Sequence, residues 1–552
     1  MKSRKEMLYI LSFICVVLID WVRTSFPWHV REPVINLFGI VMIVVTISFI
    51  GKRKIVLSNY IPWLLIWILG TVIGFFWWEK YSENIFLWQY ITFSLVIGCF
   101  GVAVIYLWKA RIPFTMINRK NLLAVLLSGI MTILILLSKD SRIWTLLYLG
   151  VFSLFYFIPY TKTDRVIFWR GAAKGVLIGS FLIQIFAFVF RPYDEIRYKG
   201  AFNNCNMNAL MYLMAFTATL YLLHCAYWKM KKCKNSKRIL PGIVLYSFCA
   251  VVLFCFILYT MTRTALLVLA CEMIAFILLE VFIYKNIDLK KSFLNMVLCV
   301  VGILVLFPAV FLSIRYIPTI FQQPVWWENE HSPDRIHSFD DDDSEKYVSF
   351  EDIMQLMFAR FGVSDSENSA QSENTFVTAT EYPQRIPAAT PKPAGTMVPS
   401  DVGQAVEEVP ERGYELLTEE EAQSSMRIRW HIFKLYFTNL NFRGHNVVDG
   451  HFFITENYIA FHAQNVFLQI AFLHGIPAGL CFLILSVWLF ISYARLAIRG
   501  KRAEDILPIL FWIVFIGYGM LEAVWYPGQS VLFFMYLVPK IMIDRGTLKK
   551  KK

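Results

Sequence analysis

Charge is scarce in this chain. Only 17% of its 552 residues are Asp, Glu, Lys or Arg, against roughly 25% in an average soluble domain. Hydrophobic residues make up 57% and aromatic residues 16%. That is more apolar surface than a water-soluble core hides, and the surplus is assigned to lipid. Nucleotide-binding signatures are also missing. Neither a phosphate-binding P-loop nor G-x-G-x-x-G occurs, which argues against ATP-driven transport by this chain. No C-x-x-C pair is present, and His445, His451 and Glu456 lack the H-E-x-x-H spacing that zinc needs. The acid run Asp340 to Asp343 lacks the D-x-D-x-D-G pattern with a distal Glu and reads as a solvated stretch. The sequence therefore calls for neither a metal nor a cofactor. Most of the 10 cysteines lie inside apolar runs, only Cys205 near the outer surface, so no disulfide framework is expected.

What is present is a series of apolar runs. A hydrocarbon core of ~30 Å needs about 20 mostly apolar residues per helix. Fourteen such runs fall near 7–22, 34–50, 59–78, 86–108, 121–138, 143–160, 167–190, 206–228, 239–259, 264–284, 293–314, 466–494, 506–523 and 529–543. The expected fold is an all-α polytopic membrane protein with 12–14 transmembrane helices. The first run has no small-residue cleavage site after it and reads as a retained helix.

Basic residues test the topology, because Lys and Arg in short loops mark the cytoplasmic side. Alternate connections carry 33 of the 53 Lys and Arg, and the intervening short ones carry 9. This alternation puts both termini in the cytoplasm and the long 315–460 segment outside, between the eleventh and twelfth runs. Residues 1–314 then hold helices 1–11 and residues 461–548 hold helices 12–14. A basic tail, Lys549 to Lys552, touches anionic inner-leaflet lipid. A net charge of +13 on a soluble chain would raise nucleic acid as a partner; here the clusters are topology signals, and no nucleic acid is expected. Residues 316–460 alone hold 24 acidic and 10 basic residues, so the outer segment is acidic.

That segment changes character twice. Phe350, Ile353, Met354, Leu356 and Met357 have helical spacing, and residues 364–413 are too rich in Ser, Thr, Pro and Glu to bury a core, so this insert is expected to be disordered. From Leu416 to Leu440 the apolar positions Met426, Trp430, Phe433, Tyr436 and Phe437 recur at helical spacing, which predicts an amphipathic helix returning the chain to the membrane.

Three polar clusters stand at outer helix ends, where membrane-level polar groups are costly and draw functional hypotheses. The first runs from Arg197 through Gly200, Phe202 and Asn204 to Asn206; the second is Thr260-Met-Thr262-Arg263; the third is His462-Ala-Gln464-Asn465, followed by Gly475 and Gly479. Taken singly, each has an ordinary reading: N-capping amides, an Arg snorkelling to the headgroups, a solvated His.

In order, they resemble the O-antigen ligase and polysaccharide polymerase family of polytopic glycosyltransferases. The resemblance spans about Arg197 to Gly479. Arg197, Gly200, Phe202, Asn204 and Asn206 fit the family's Arg-x-x-Gly-x-Phe-x-Asn-Pro-Asn, with Cys205 in place of Pro. Arg263 fits its Ser-x-Ser-Arg, with Thr260 and Thr262 for the serines, and Arg429 fits its Arg-bearing outer helix. His462, Asn465 and Gly475 fit its His-x-His-Asn and following glycines, but Gln464 replaces the second His.

The resemblance implies an outer-face, metal-independent glycosyltransferase in a bacterial plasma membrane. Its donor is a polyprenyl-diphosphate-linked glycan, its acceptor a second glycan, and inversion at the anomeric carbon is expected. Other envelope polysaccharide assembly proteins are implied as partners besides the lipid bilayer. Arg197 and Arg263, with His462 as general base, carry the expected chemistry; Arg429, Asn204, Asn206, Gln464 and Asn465 bind substrate. The physics agrees, because guanidiniums bind diphosphate strongly and stabilise it as it leaves, and a histidine near its ordinary pKa suits proton removal. Polymerisation of repeat units is the leading reading. Ligase-like transfer to a lipid, peptidoglycan or protein acceptor shares the donor site. A flippase or transporter of another class should show repeated halves and mid-helix charges, and the sequence has neither. A non-catalytic scaffold or receptor would leave the three arginines and His462 without a joint purpose. Glu272, Glu280 and Glu522, near helix interiors or ends, fit a coupling role, with end position and helix packing the plainer account.

Overall fold

The computed structural model describes residues 2–26, 28–48, 57–81, 87–109, 122–139, 162–191, 193, 197–202, 204–232, 239–321, 349–360, 416–418, 425–446, 448–455, 458–460, 462–500 and 502–521. Apolar runs flanked by polar turns become helices because lipid offers no partner for a free peptide group. In chain order these are α1 (Lys2–Ser25), α2 (Trp28–Ser48), α3 (Ile61–Tyr81), α4 (Leu87–Lys109), α5 (Leu122–Leu137), α6 (Lys162–Phe190), α7 (Cys205–Lys232), α8 (Leu240–Tyr259), α9 (Arg263–Leu278) and α10 (Leu289–Phe321). After them come α11 (Phe350–Arg360), α12 (Ser425–Thr438), α13 (Val466–His474), α14 (Ile476–Gly500) and α15 (Ile506–Gly519).

Eight helices among the described residues are long and apolar enough to cross a membrane, and two shorter apolar stretches, Asn36–Ser48 and Ile61–Phe76, lie in α2 and α3. The chain is thus a mostly helical membrane protein. The expected runs 143–160 and 529–543, the insert 364–413, Asp340 to Asp343, Glu522 and the Lys549 to Lys552 tail lie outside the described residues.

At the centre stands α7, with buried side chains along almost its whole length, including the polar Asn208, Thr217, Thr219 and His224. Around it pack α6, α8, α9 and α15. Helix α1 packs closely along α6. Gly171, Gly175 and Gly179 recur every fourth residue on α6, and a Cβ at Gly171 would meet Tyr9 Cβ at 2.7 Å, at Gly175 Phe13 Cβ at 2.6 Å and at Gly179 Val17 Cβ at 3.1 Å. The contacts advance together along both helices, so α1 and α6 run parallel, held by the small-residue spacing that lets backbones approach in lipid. Arg170 binds Glu6 at the start of the pair, and Lys174 Nζ joins Glu6 Oε1 at 2.9 Å.

Two local departures from the sequence reading matter for the site. The run 466–494 is not one helix. It breaks at Gly475, whose φ of +92° is open to glycine, and a Cβ there would fall on the Phe442 carbonyl. The turn at 441–445 occupies the notch: Ile476 N donates to Asn441 O at 3.0 Å and His445 N to Phe472 O at 2.9 Å. The second departure is a small antiparallel hairpin, β1 (Phe452–Thr455) with β2 (Tyr458–Ala460), pairing Phe452 with Ala460. It forms a second core with α12 and α13, in which Ile428, Ile432, Leu435, Tyr436, Phe452, Ile454 and Phe472 are buried. The helix expected around Phe350 to Met357 is α11; Ile353 is buried, and Phe350 packs edge-on to Phe311 of α10 at 5.2 Å.

Candidate functional site

The loop entering α7 is shaped by its glycine and its amides. Gly200 turns left-handed at φ +57°, and a Cβ there would meet Asn208 Nδ2 at 2.9 Å. Asn208 Nδ2 instead donates to Tyr198 O at 3.3 Å, and Trp21 Nε1 at the end of α1 donates to Ala201 O at 2.9 Å. Tyr198 N donates to Tyr259 O at 3.0 Å, tying the loop to the last residue of α8. Asn204 caps α7, its Oδ1 accepting from Asn206 N at 2.7 Å. Side-chain capping of a free helix N–H is what Asn does best at this position.

Arg197 is turned inward and only 5% exposed. Its Nε donates to Thr260 O at 3.2 Å, and its Nη2 donates to Asn206 Oδ1 at 3.0 Å and Thr262 Oγ1 at 3.2 Å. These three acceptors are neutral oxygens. They come from both the first and the second sequence clusters, so the guanidinium is the point at which those clusters meet. Between the two threonines Met261 holds φ +49°, a region a branched or bulky residue enters at a cost. Thr262 is the extended residue before α9, and Arg263, exposed, opens that helix.

The third cluster is a tight turn in front of α13. Asn465 caps the helix, with Oδ1 accepting from Phe467 N at 3.0 Å and Leu468 N at 3.1 Å. Gln469 Oε1 reaches back to accept from Ala463 N at 2.7 Å. Gln464 takes φ +48°, and its Oε1 is buried with no hydrogen-bond partner among the described residues. Gln464 N donates to His462 Nδ1 at 3.3 Å. A backbone N–H can only donate, so Nδ1 holds the lone pair and neutral His462 carries its proton on Nε2. Desolvation by neighbouring atoms lowers the His462 pKa from the ordinary histidine value, although the residue as a whole is exposed.

The end of α15 couples the third cluster to the first. Tyr518 donates its hydroxyl to the Asn206 carbonyl, and Asn465 Nδ2 donates to Met520 O at 3.0 Å. Arg197, Asn204, Asn206, Thr262 and Asn465 are thereby assembled where α6, α8 and α15 end and α7, α9 and α13 begin. Arg263 adjoins Thr262 in the chain, and His462 and Gln464 share the turn that Asn465 closes. Arg429 stands apart from this set, half-buried on α12 beside the second core. Asn204 Oδ1 and Asn465 Oδ1 cap the protein's own helices, the ordinary reading of such amides.

Three helix N-termini at one end of a bundle, with two guanidiniums beside them, make a positive site suited to an anion. No three His, Cys, Asp or Glu side chains among the described residues are grouped to hold a metal ion. Tyr518 and Met520 escaped the sequence reading. They sit at the tail of an apolar run, and the only trace was a hydroxyl-bearing aromatic near its end. No protein-family model, no curated protein and no solved structure matches the chain.

Proposed function

We propose that the chain is an outer-face glycosyltransferase that polymerises the repeat units of a cell-surface polysaccharide carried on polyprenyl diphosphate. The observation that carries this reading is the convergence on Arg197: Asn206 and Thr262 bind its guanidinium, and Tyr518 and Asn465 tie the turn bearing His462 to the same helix ends. A diphosphate at headgroup level would lie against Arg197 and Arg263, while Arg429, on α12, stands apart from that pair. The acceptor hydroxyl oxygen bonds to the anomeric carbon, the bond from that carbon to the diphosphate breaks, and the lipid diphosphate leaves with the electron pair. Fixed guanidiniums stabilise that charge as it develops. The hydroxyl proton passes to His462 Nδ1, displacing the Gln464 N–H bond.

The topology of the same reading has fourteen spans in a bacterial plasma membrane, both termini cytoplasmic and residues 315–460 outside. The parallel run of α1 and α6 supports it, since the basic-residue alternation starts both of these runs from the same side. The test is reconstitution of the purified protein with a lipid diphosphate-linked repeat unit. Longer glycans are expected from the wild type, and none from Arg197→Ala or Arg263→Ala while insertion is intact. Unaltered polymer length in both variants would overturn the assignment. Transfer to an added acceptor instead of extension would make it a ligase, and lipid movement without bond formation a flippase.

A further inference from the structure

Helix α12 has two apolar faces. One, made by Ile428, Ile432, Leu435 and Tyr436, is buried in the second core. The other is the stripe the sequence pattern singled out: Met426 is 67% exposed, Trp430 72% and Phe437 68%. At 3.6 residues per turn Met426, Trp430, Phe433 and Phe437 fall within about 60° of one another. Arg427 and Lys434, both exposed, flank this stripe on one side and Arg429 flanks it on the other. An apolar stripe with Trp and Phe at its centre and long cations at its edges is the pattern of a helix lying in a membrane interface.

The surroundings fix the occupant. Phe442, 73% exposed, follows α12 directly. Its neighbour Asn441 accepts from Ile476 N, the first residue of the α14 span, at 3.0 Å. Ile476 and Leu480 are exposed on that span, so Phe442 continues the lipid-facing surface of α14 outward, with exposed Arg443 beside it.

We infer that residues 425–443 form a membrane-surface anchor: the Met426, Trp430, Phe437 and Phe442 face lies in the outer leaflet, and Arg427, Lys434 and Arg443 bind anionic phospholipid headgroups. The anchor holds the second core against the bilayer. It is independent of the transferase chemistry and takes only the side of the membrane from the topology proposed with it.

The test places a benzophenone amino acid at position 430 or 437 of the full chain in nanodiscs of phosphatidylcholine with phosphatidylglycerol. Irradiation is expected to give lipid adducts enriched in phosphatidylglycerol, and neutralising Arg427, Lys434 and Arg443 to Gln lowers that enrichment by up to about fivefold per charge. An adduct on a second copy, an adduct on the chain's own 361–424 segment, or no adduct at either position overturns the anchor. Unchanged enrichment in the triple Gln variant overturns the headgroup part. Exposed positions were chosen for the probe, and an unaltered melting temperature separates loss of contact from loss of fold.

Discussion

The two ends of the helix bundle treat charge differently. At the end where α1 and α6 begin, a carboxylate takes two cations: Glu6 binds Arg170 and Lys174. Close by in the fold, Glu280 binds both His224 Nδ1 and Asn286 Nδ2, so its place is structural, in the π-turn Leu279–Ile283 that follows α9. At the opposite end Arg197 rests on the Asn206 amide, the Thr262 hydroxyl and a main-chain carbonyl. At the first end a carboxylate joins α1 to α6 through two cations; at the second a guanidinium joins the loop before α7 to the turn before α9 through the oxygens of Asn206, Thr262 and Thr260.

Breaking the second end should cost activity far more than stability. Arg197→Ala is expected to lower chain extension by about 10²-fold or more, the scale of losing one fixed donor to a developing anion, with normal insertion and expression. Equal losses in activity and membrane yield would remove the distinction between the ends. Next in size are the glycines of the notch. Gly475→Ala and Gly444→Ala each force a Cβ onto main-chain atoms at positive φ, costing about 1–3 kcal/mol. The resulting loosening should appear as faster amide exchange across β1, β2 and α13, with α1 and α6 unaffected.

Smaller effects sharpen the contrast. Tyr518→Phe removes one hydrogen bond to Asn206, worth about 1 kcal/mol, and should lower activity through displacement of the Asn206 side chain from Arg197. At the structural end Glu6→Gln is expected to leave the rate unchanged and lower the melting temperature slightly, because partly exposed pairs contribute little. A pH profile tests the general base. His462 must be neutral to accept a proton and its pKa is depressed, so the rate should fall on acidification with a midpoint below the ordinary histidine value. A midpoint above the ordinary histidine value would remove His462 from that role.

Much of the helical framework was legible because lipid imposes it. Runs such as 239–259 and 86–108 reappear within a residue or two as α8 and α4. The break at Gly475 was not legible from hydropathy, since the run stays apolar through it; the cause is the Asn441 turn, contributed from elsewhere in the chain. The outer helix was found, but its second apolar face was not. Met426, Trp430 and Phe437 gave the stronger stripe, while the core took the face with Ile428, Ile432 and Leu435. Spacing reports that a face is apolar and says nothing of whether protein or lipid covers it. Of the candidate site, Arg197, Asn206 and Thr262 were named through motif order, but the hydrogen bonds that join them were not foreseen. Tyr518 was invisible, because a hydrogen bond to a main-chain carbonyl 312 residues away leaves no mark on either local sequence.

The parallel clasp of α1 on α6 also bears on how the protein is made. Glu6 waits for Arg170, 164 residues further along, before its ion pair can form. During synthesis α1 therefore enters the membrane long before its partner, with the side chains that fill the glycine seam of α6 facing lipid or insertion machinery. Closure of that seam marks the moment at which the first helix stops being an anchor for the nascent chain and becomes part of the finished bundle.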